Sequence, residues 1–372
     1  MVEEPLTSIP TDYYGIIFDQ WLDIFLEYSL IVAGQDERDE AYDTLAAAAA
    51  ASVWYHSKAS TRQIHICWFT CALRVQDEEA LAGEARWFIK EYQFVTDTYR
   101  LFAVLSRLCG DPHRSFFHSS PNMKFMLRQI KAVDYSLPEE YFEAHDAGRH
   151  GRESVNNNNL RNKERVSLTS RDEVTGETIT AGEMDVALLV LYGHILYSGS
   201  SFYSALNYFF RAYALDRENP MVLLSIALSF IHHSLKRQSD NRHYLIMQGL
   251  SFMQEYRRVR EKEGTLIQER QEMEFNIARV WHLLGLAHLA VPGYRRVLEL
   301  GDEIREEAER LDRNGDGDGD VAMGGTVPQQ QKKKKTFVED FSCEAALALQ
   351  NIYGHDGDLY EAKKITERYL VI

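Results

Sequence analysis

The stretch LVLYGHILYSGSSFYSALNYFFRAYALD, from Leu189 to Asp216, decides the fold of this chain. Its apolar residues recur at helical spacing and predict two helices packed as a pair. Gly193 on the first helix is followed twelve residues later by Ala205 on the second. We expect these two small residues to meet at the helix crossing, because small residues let two helices pack tightly.

The same spacing returns elsewhere in the chain. In Trp21 to Ala50 the small residue is Ser29, and in Glu274 to Leu300 it is Ala278, each followed by a small residue twelve positions later. This pattern is the signature of tetratricopeptide (TPR) repeats, and we count about seven helix pairs. The predicted fold class is therefore all-α, a TPR-type solenoid of helix pairs in two lobes.

The last repeat, Glu344 to Ile372, departs from the pattern. Gln350 stands at the position of the small residue, while Gly357 falls in the turn between the two helices. Across the repeats, the residues predicted to pack at the helix crossings are Gly193, Ala205, Phe209, Ala212, Ala278, Ala290, Tyr294 and Ala362.

Two segments interrupt the repeats. Residues 144–180 are polar, Asn-rich and aperiodic, and they predict a disordered linker between N-terminal helical repeats at 1–143 and C-terminal TPR repeats at 181–372. Residues 312–336 combine Gly, Asp, Gln and a lysine run, and they predict a disordered insertion within the C-terminal repeats.

Composition narrows the classes of function. The formal charge of -15, from 41 basic and 56 acidic residues, argues against a chain that wraps DNA over its whole surface. The 4 cysteines form no CxxC motif, and no signal peptide is visible, which favours a reducing intracellular compartment. No apolar run reaches the roughly 20 residues of a membrane helix, so we expect no membrane partner.

Two short motifs resemble metal sites but have simpler explanations. DRNGDGDGD, Asp312 to Asp320, resembles a calcium loop, but Met323 stands where a bidentate Glu is required, so low complexity is favoured. Cys67 and Cys71 have a spacing that some metal sites use, but the helix around them is apolar, which favours core cysteines.

The sequence has two clusters of basic residues, and the function of the first has two possible explanations. The run Lys332 to Lys335 is either a nuclear-import or DNA contact or a plain solubilising segment. Arg257, Arg258, Arg260 and Lys262 have acidic neighbours, which favours a solvated helix. Motifs for nucleophiles, phosphate loops and metalloproteases are missing from the sequence, so we expect no enzyme, no cofactor and no small-molecule substrate.

Repeat arrays of this kind bind protein segments in the groove lined by the first helix of each pair. We expect about half of the groove positions to be accessible, while the others are ordinary core between repeats. The predicted groove residues are Val190, His194, Tyr197, Leu224, Leu228, Phe275, Arg279, His282, Leu347 and Asn351.

Several stretches are more specific than a general TPR pattern. They include FDQWLDIFLEYSLIVA at Phe18 to Ala33, ARWFIKEYQFVTDTYRLFAVLSRLC at Ala85 to Cys109, and FNIARVWHLLGLAHLAVPGYRRVL at Phe275 to Leu298. In these stretches the chain resembles the C-terminal TPR half of the large TPR subunit of transcription factor IIIC (TFIIIC), a component of its tauA subcomplex. The resemblance runs nearly from end to end.

That resemblance implies a nuclear protein of RNA polymerase III transcription. Its expected partners are other TFIIIC subunits and two subunits of TFIIIB, the TFIIB-related factor and the SANT-domain subunit, with DNA reached mainly through the complex at tRNA-type genes. The family also carries an acidic N-terminal region and a further TPR array upstream, so we expect this chain to be a fragment or a truncated gene model.

Two alternatives differ in what they bind. One is a TPR adaptor of another intracellular complex, such as a chaperone adaptor, which clamps a C-terminal carboxylate with Lys and Asn at positions that here are Val190 and His194. The other is an enzyme-associated subunit or one that binds DNA directly, and the acidity of the chain disfavours it.

Overall fold

The structure, a computed structural model, describes residues 12–106, 116–137, 179–237, 239–262, 264–315 and 340–370. These residues form fifteen α-helices and one short antiparallel strand pair, Asp12–Tyr13 with Ile16–Ile17. Successive helices joined by short connections pack against each other as pairs. The predicted all-α class of helix pairs is confirmed.

The chain divides into two compact units, Met1–Leu215 and Asp216–Ile372. The helices of the first unit are α1 (Phe18–Ala33), α2 (Arg38–Ala50), α3 (Ser52–Tyr55), α4 (Lys58–Arg74), α5 (Glu78–Glu91), α6 (Thr96–Leu105), α7 (Ser120–Ser136), α8 (Val186–Ser198) and α9 (Phe202–Leu215). The helices of the second unit are α10 (Pro220–Ser234), α11 (Arg242–Arg260), α12 (Ile267–Leu283), α13 (Ala287–Gly315), α14 (Ser342–Asp356) and α15 (Leu359–Ile365), followed by a π-turn at Thr366–Leu370.

Local sequence sets where several helices begin and end. The side chain of Asp77 accepts hydrogen bonds from two backbone N–H groups at the start of α5, and Asn219 does the same for α10. Such caps satisfy N–H groups that have no partner within the helix. At the other end, Gly357 terminates α14 with φ of 82°, a left-handed conformation that glycine adopts without steric cost. Its predicted place in the turn is confirmed.

The core of the first repeat follows the sequence pattern. Ser29 is fully buried, and its hydroxyl donates to the carbonyl of Phe25, 2.8 Å away, so the polar group is satisfied inside the core. Cys67 and Cys71 are buried in the same cluster, which confirms that they are core residues. Full burial of a side chain such as Leu45 stabilises the fold by roughly 1.5–3 kcal/mol.

A second core joins α12, α13, α14 and α15. Ala278 on α12 and Gly293 on α13 meet where these helices cross, because a Cβ added at Gly293 would lie 2.9 Å from the Cβ of Ala278. Gln350, which departs from the small-residue pattern, is half-buried and donates through Nε2 to the hydroxyl of Thr366, 2.8 Å away. The side chain of Gln350, larger than the small residue of the pattern, thus forms a hydrogen bond to the π-turn that follows α15.

The predicted meeting of Gly193 and Ala205 stays a prediction, and the structure adds a third residue to this helix crossing. All eight predicted packing residues are buried, but the atoms nearest to Gly193 belong to the ring of Phe209. Gly193 leaves room for an aromatic ring, which fills the space between α8 and α9 beside the smaller Ala205.

The pair α8 and α9, which the sequence analysis placed among the C-terminal repeats, lies in the first unit. Two polar contacts hold it there: the hydroxyl of Thr96 donates to the carboxylate of Asp185, and Arg211 pairs with Asp134 at 2.7 Å. The predicted linker at 144–180, apart from its last two residues, lies outside the described residues, as does most of the predicted insertion at 312–336. None of the helices described is both long and apolar enough to cross a lipid bilayer.

Candidate protein-binding surface

In the second unit, the predicted groove residues lie on α10, α12 and α14, the first helices of its three pairs. On α12, Phe275, Arg279 and His282 follow at intervals of four and three residues, which places them on one side of the helix. Leu224 and Leu228 have the same relation on α10. The helical periodicity therefore groups the candidates of each helix on a common face.

Their exposure varies along the unit. Arg279, Leu347 and Asn351 are exposed, and the Leu347 side chain keeps 51% of its surface accessible. The other predicted groove residues of this unit, which are Leu224, Leu228, Phe275 and His282, are half-buried. All of them keep some accessible surface, so a partner can reach this side of the helices.

Phe275 has a second role in packing. Its ring stacks on Phe341, the residue before α14, at a centroid distance of 5.0 Å, and it contacts the ring of Tyr294 at 6.0 Å. Part of its surface is therefore used to join α14 to α12 and α13. Phe275 therefore packs in the core between helix pairs and also contributes to the accessible face.

The charge of Arg279 affects two polar side chains. Burial lowers the pKa of His232 on α10, and the nearby charge of Arg279 lowers it further. Burial raises the pKa of the Tyr294 hydroxyl, and Arg279 opposes that rise. The Tyr294 hydroxyl also lies 3.4 Å from Nδ1 of His282. The charge of Arg279 thus acts on His232 of α10 and on Tyr294, a buried side chain of α13.

No motif in the sequence singles out His232. It lies 47 residues before Arg279, and no motif connects the two positions. The two residues are linked by the effect of the Arg279 charge on the pKa of His232. Spacing within α10 offered one signal, because His232 continues the row of Leu224 and Leu228 at an interval of four residues.

Arg279 forms no hydrogen bond or ion pair within the described part of the chain. The basic cluster on α11 behaves differently, because each of its four cations is paired with a carboxylate. The pairs are Arg257–Glu274 at 3.2 Å, Arg258–Glu255 at 2.8 Å, Arg260–Glu272 at 3.2 Å and Lys262–Glu218 at 2.6 Å. These ion pairs neutralise the cluster and agree with its interpretation as a solvated helix face.

In the first unit, Val190, His194 and Tyr197 are half-buried on α8. The ring of His194 packs edge-on against Phe209 at 5.4 Å, and that of Tyr197 against Phe202 at 5.1 Å. Burial lowers the pKa of His194 to about 4, with a smaller contribution from His118. These side chains are engaged mainly in packing between α8 and α9.

The first unit also has accessible apolar residues that the sequence analysis did not select. On α1, the exposed fractions are 47% for Ile24, 45% for Tyr28 and 60% for Ile31, at intervals of four and three residues. Ile66 on the adjacent α4 is 53% exposed. Periodicity alone could not show that this row faces outward, because α1 carries a second apolar row, Leu22, Ser29 and Val32, that is buried.

Comparison with known proteins identifies relatives along almost the whole chain. The transcription factor tau subunit sfc4 of Schizosaccharomyces pombe is 30% identical over 367 residues, which is 98% of this chain. The transcription factor tau 131 kDa subunit of Saccharomyces cerevisiae is 28% identical over 305 residues, or 82% of the chain. This chain belongs to the family of these TFIIIC subunits.

The human relative, general transcription factor 3C polypeptide 3, is 37% identical over 128 residues, which is 34% of this chain and 14% of the human protein. The TFIIIC-family chain spans 32% of the length of sfc4 and 27% of the length of the tau 131 kDa subunit. No family model matches the sequence.

A cavity in the second unit of this TFIIIC-family chain lies away from Arg279. It has a volume of about 410 Å³, and charged side chains dominate its lining, with Glu261, Glu274, Glu303, Arg270 and Arg296 around a small apolar floor. Sites for small organic ligands are mostly apolar, and this one is not. Among the described residues, no group of three or more His, Cys, Asp or Glu side chains is placed to hold a metal ion.

Proposed function

We propose that this chain is a protein-interaction scaffold of TFIIIC that helps assemble the promoter complex and recruits TFIIIB at tRNA-type genes. The observation that carries the proposal is the alignment of 98% of the chain with a tau subunit. The proposed partners are other TFIIIC subunits, the TFIIB-related factor and the SANT-domain subunit. The proposed location is the nucleus.

The accessible face of the second unit supports a role in binding proteins. Arg279, Leu347 and Asn351 are exposed there, and half-buried leucine and aromatic side chains surround them. Arginine and aromatic residues are enriched among the residues that carry the energy of protein interfaces, while their neighbours exclude water. A face of this composition suits a helical or extended segment of a partner protein.

Contact with DNA is proposed to be indirect. Affinity for duplex DNA depends on cations that can neutralise phosphates. The chain carries a formal charge of -15, and carboxylates already neutralise the cluster Arg257 to Lys262. Promoter DNA is then held by other parts of the TFIIIC complex.

The test is a pull-down of the purified 372-residue chain with the TFIIB-related factor and the SANT-domain subunit. Two variants, Tyr197→Ala and Arg279→Ala, probe the predicted groove residues of the two units. The matched control is Arg270→Ala, because Arg270 is an exposed arginine on the same helix, nine residues away. Nine residues are about two and a half helical turns, so the two arginines point to opposite sides of α12.

The proposal expects the wild-type chain and Arg270→Ala to capture at least one TFIIIB subunit at moderate salt. It expects capture to fall in Tyr197→Ala or Arg279→Ala while the unfolding temperature stays unchanged. If the wild-type chain captures neither subunit, recruitment of TFIIIB does not reside in this part of the family. If both variants capture as well as the wild-type chain, the binding face lies elsewhere.

A further inference from the structure

We infer that helices α1 and α4 of the first unit form a docking face for a basic amphipathic segment of another protein. Lysine or arginine side chains of that segment pair with carboxylates on α1, and its apolar side chains cover exposed isoleucine and leucine residues. The inference goes beyond the proposed function, because the predicted groove residues do not include this surface. The surface, called here the α1–α4 face, consists of Asp23, Ile24, Glu27, Ile31, Ile66 and Leu73.

Contacts between α1 and α4 determine how the two helices lie. The thiol of Cys67 donates to the carbonyl of Leu26 at 3.5 Å, across 41 residues of sequence. Further along both helices, the guanidinium of Arg74 donates to the carbonyl of Leu30 at 2.8 Å, across 44 residues. Because both helices advance together from the first contact to the second, they run side by side in the same direction.

Exposed apolar side chains stand at matching levels on the two helices. The contact that lies between those two joins residues 42 positions apart. The same offset relates Ile24 to Ile66 and Ile31 to Leu73, whose exposed fractions are 47%, 53%, 60% and 37% in that order. On each helix the two apolar residues are seven positions apart, or about 10.5 Å along the axis. This spacing matches the i and i+7 anchors of an amphipathic helix.

A row of carboxylates runs along α1 between these apolar side chains. Asp19, Asp23 and Glu27 follow at intervals of four residues and are exposed. Asp23 stands three residues before Leu26, whose carbonyl contacts α4. Glu27 has the same relation to Leu30. The row therefore lies between the side of α1 that contacts α4 and the exposed isoleucines of α1.

The negative charge of this row is not compensated within the described part of the chain. None of its three carboxylates forms a hydrogen bond or an ion pair there, and α1 contains no basic residue. On α4, Arg62 pairs with Glu91 of α5 at 2.8 Å. Arg74 donates to the Leu30 carbonyl near the end of α1. The two arginines of α4 are thus engaged elsewhere, and the carboxylates are available to cations of a partner.

Lysine and arginine side chains suit this face in two ways. Their cationic ends pair with carboxylates, and arginine does so through two parallel hydrogen bonds. Their methylene stems pack on apolar surface beside the charged ends. A helix that carries such residues next to apolar anchors is therefore complementary to the face. A nucleic acid is not, because the carboxylates repel its phosphates.

A purely apolar segment fits the face less well. It would take the carboxylates out of water without giving them partners, which costs free energy. Conversely, a basic segment without apolar anchors would leave the isoleucine and leucine side chains exposed. Peptides that lack one of the two features therefore serve as competing ligands in the test.

The test measures fluorescence anisotropy of labelled model peptides with the full 372-residue chain. The probe is an amphipathic helical peptide with leucine at intervals of three and four residues and lysine beside the leucines. In one matched peptide glutamine replaces lysine, and in the other serine replaces leucine. The chain is used as wild type and as Glu27→Gln, Glu27→Lys and Ile66→Ser, each checked by its unfolding temperature.

The matched control for the charge reversal is Asp43→Lys. Asp43 is exposed on α2 in the same unit and forms no hydrogen bond or ion pair with another described residue. It lies on the side of α2 opposite to the buried Ala41 and Leu45. Asp43→Lys therefore changes the charge of the chain as much as Glu27→Lys does, but away from the α1–α4 face.

The lysine–leucine peptide is expected to bind more tightly than either matched peptide. Glu27→Gln weakens its binding about threefold and Glu27→Lys about tenfold, through loss and reversal of one charge at the surface. Ile66→Ser weakens it about fivefold, because less apolar surface is buried. Asp43→Lys leaves the affinity unchanged, and added salt weakens binding to the wild-type chain more than to Glu27→Gln.

Three results would overturn the inference. The first is equal affinity for the lysine and glutamine peptides. The second is an equal loss in Glu27→Lys and Asp43→Lys, since the peptide would then respond only to the net charge of the chain. The third is an unchanged affinity in Ile66→Ser, since the apolar side chains would then take no part in the contact.

These outcomes are separable from those of the pull-down. If TFIIIB subunits are captured but the lysine–leucine peptide does not bind, the proposed function stands and the α1–α4 face is wrong. If the peptide binds as expected but no TFIIIB subunit is captured, the α1–α4 face stands and the proposed partner is wrong.

Discussion

Gly193 on α8 lies directly against the aromatic ring of Phe209 on α9. A Cβ atom added at Gly193 would stand 2.7 Å from Cδ1 of that ring, whereas carbon atoms in favourable contact are about 3.5–4.0 Å apart. Phe209 is completely buried, so its ring cannot swing into solvent to make room. Helices α8 and α9 can therefore pack this closely only because residue 193 has no side chain.

Replacing Gly193 by alanine should lower the free energy of unfolding by about 1–3 kcal/mol, because the new methyl group overpacks the Phe209 ring. Urea unfolding followed by circular dichroism measures the change. The matched control is Gly83→Ala in α5, where an added Cβ meets no atom within 4 Å. There alanine should raise the free energy of unfolding by up to about 1 kcal/mol through its helix propensity. Changes of the same sign in both variants would contradict the packing described.

The buried side chain of Gln271 links three parts of the second unit. Its Nε2 donates to the carbonyl of Val297 on α13 at 3.1 Å, and its Oε1 accepts from the backbone N–H of Phe341 at 3.2 Å. Gln271→Met would remove the acceptor of that N–H. We expect a loss of about 1–3 kcal/mol in the free energy of unfolding, together with faster hydrogen exchange at the start of α14.

Gln254→Met is the control for that substitution. Gln254 is exposed on α11 and forms no hydrogen bond to another described residue, so its replacement should change stability by no more than about 0.5 kcal/mol. Equal effects of Gln271→Met and Gln254→Met would show that the bridge between α12, α13 and α14 contributes nothing to stability.

Burial of His194 predicts a pH dependence of stability. Its folded-state pKa is lowered to about 4, below the ordinary value of 6.5, so the unfolded chain binds the proton more tightly. The stabilising contribution is complete above pH 6.5 and is lost as the pH falls toward 4. Because the His194 ring is half-buried, we expect the free energy of unfolding to fall by about 1–3 kcal/mol across this pH window. His194→Gln should remove that part of the slope in urea unfolding measured from pH 7 to pH 4.5, and an unchanged slope would contradict it.

Local sequence predicts the helices and much of the core, because hydrophobic periodicity is a local property. Ala41, Leu45 and Ala48 follow at intervals of four and three residues on α2 and are fully buried, and Cys67 and Cys71 lie in the core beside them. Each conclusion depended only on spacing within one or two adjacent helices.

Contacts between distant residues could not be predicted in this way. The division after Leu215 leaves α9 in the first unit, where Arg211 pairs with Asp134, 77 residues earlier. Likewise, helical spacing placed Phe275 on the accessible side of α12, but the stacked ring of Phe341 covers part of it. The effect of the Arg279 charge on the pKa of His232 is a third case, since the two residues are 47 positions apart in the sequence.

The central claim, that the accessible side of the first helices in the second unit binds TFIIIB, is tested most directly by site-specific photo-crosslinking. A photoreactive phenylalanine derivative would replace Leu347 on α14, which is 51% exposed, or Met247 on α11, which is 63% exposed. Both are accessible apolar positions, but Met247 lies on the second helix of its pair. The account predicts a crosslink to the TFIIB-related factor or the SANT-domain subunit from position 347 and none from position 247. A crosslink from position 247 alone, or from neither position in an assembled complex, would contradict it.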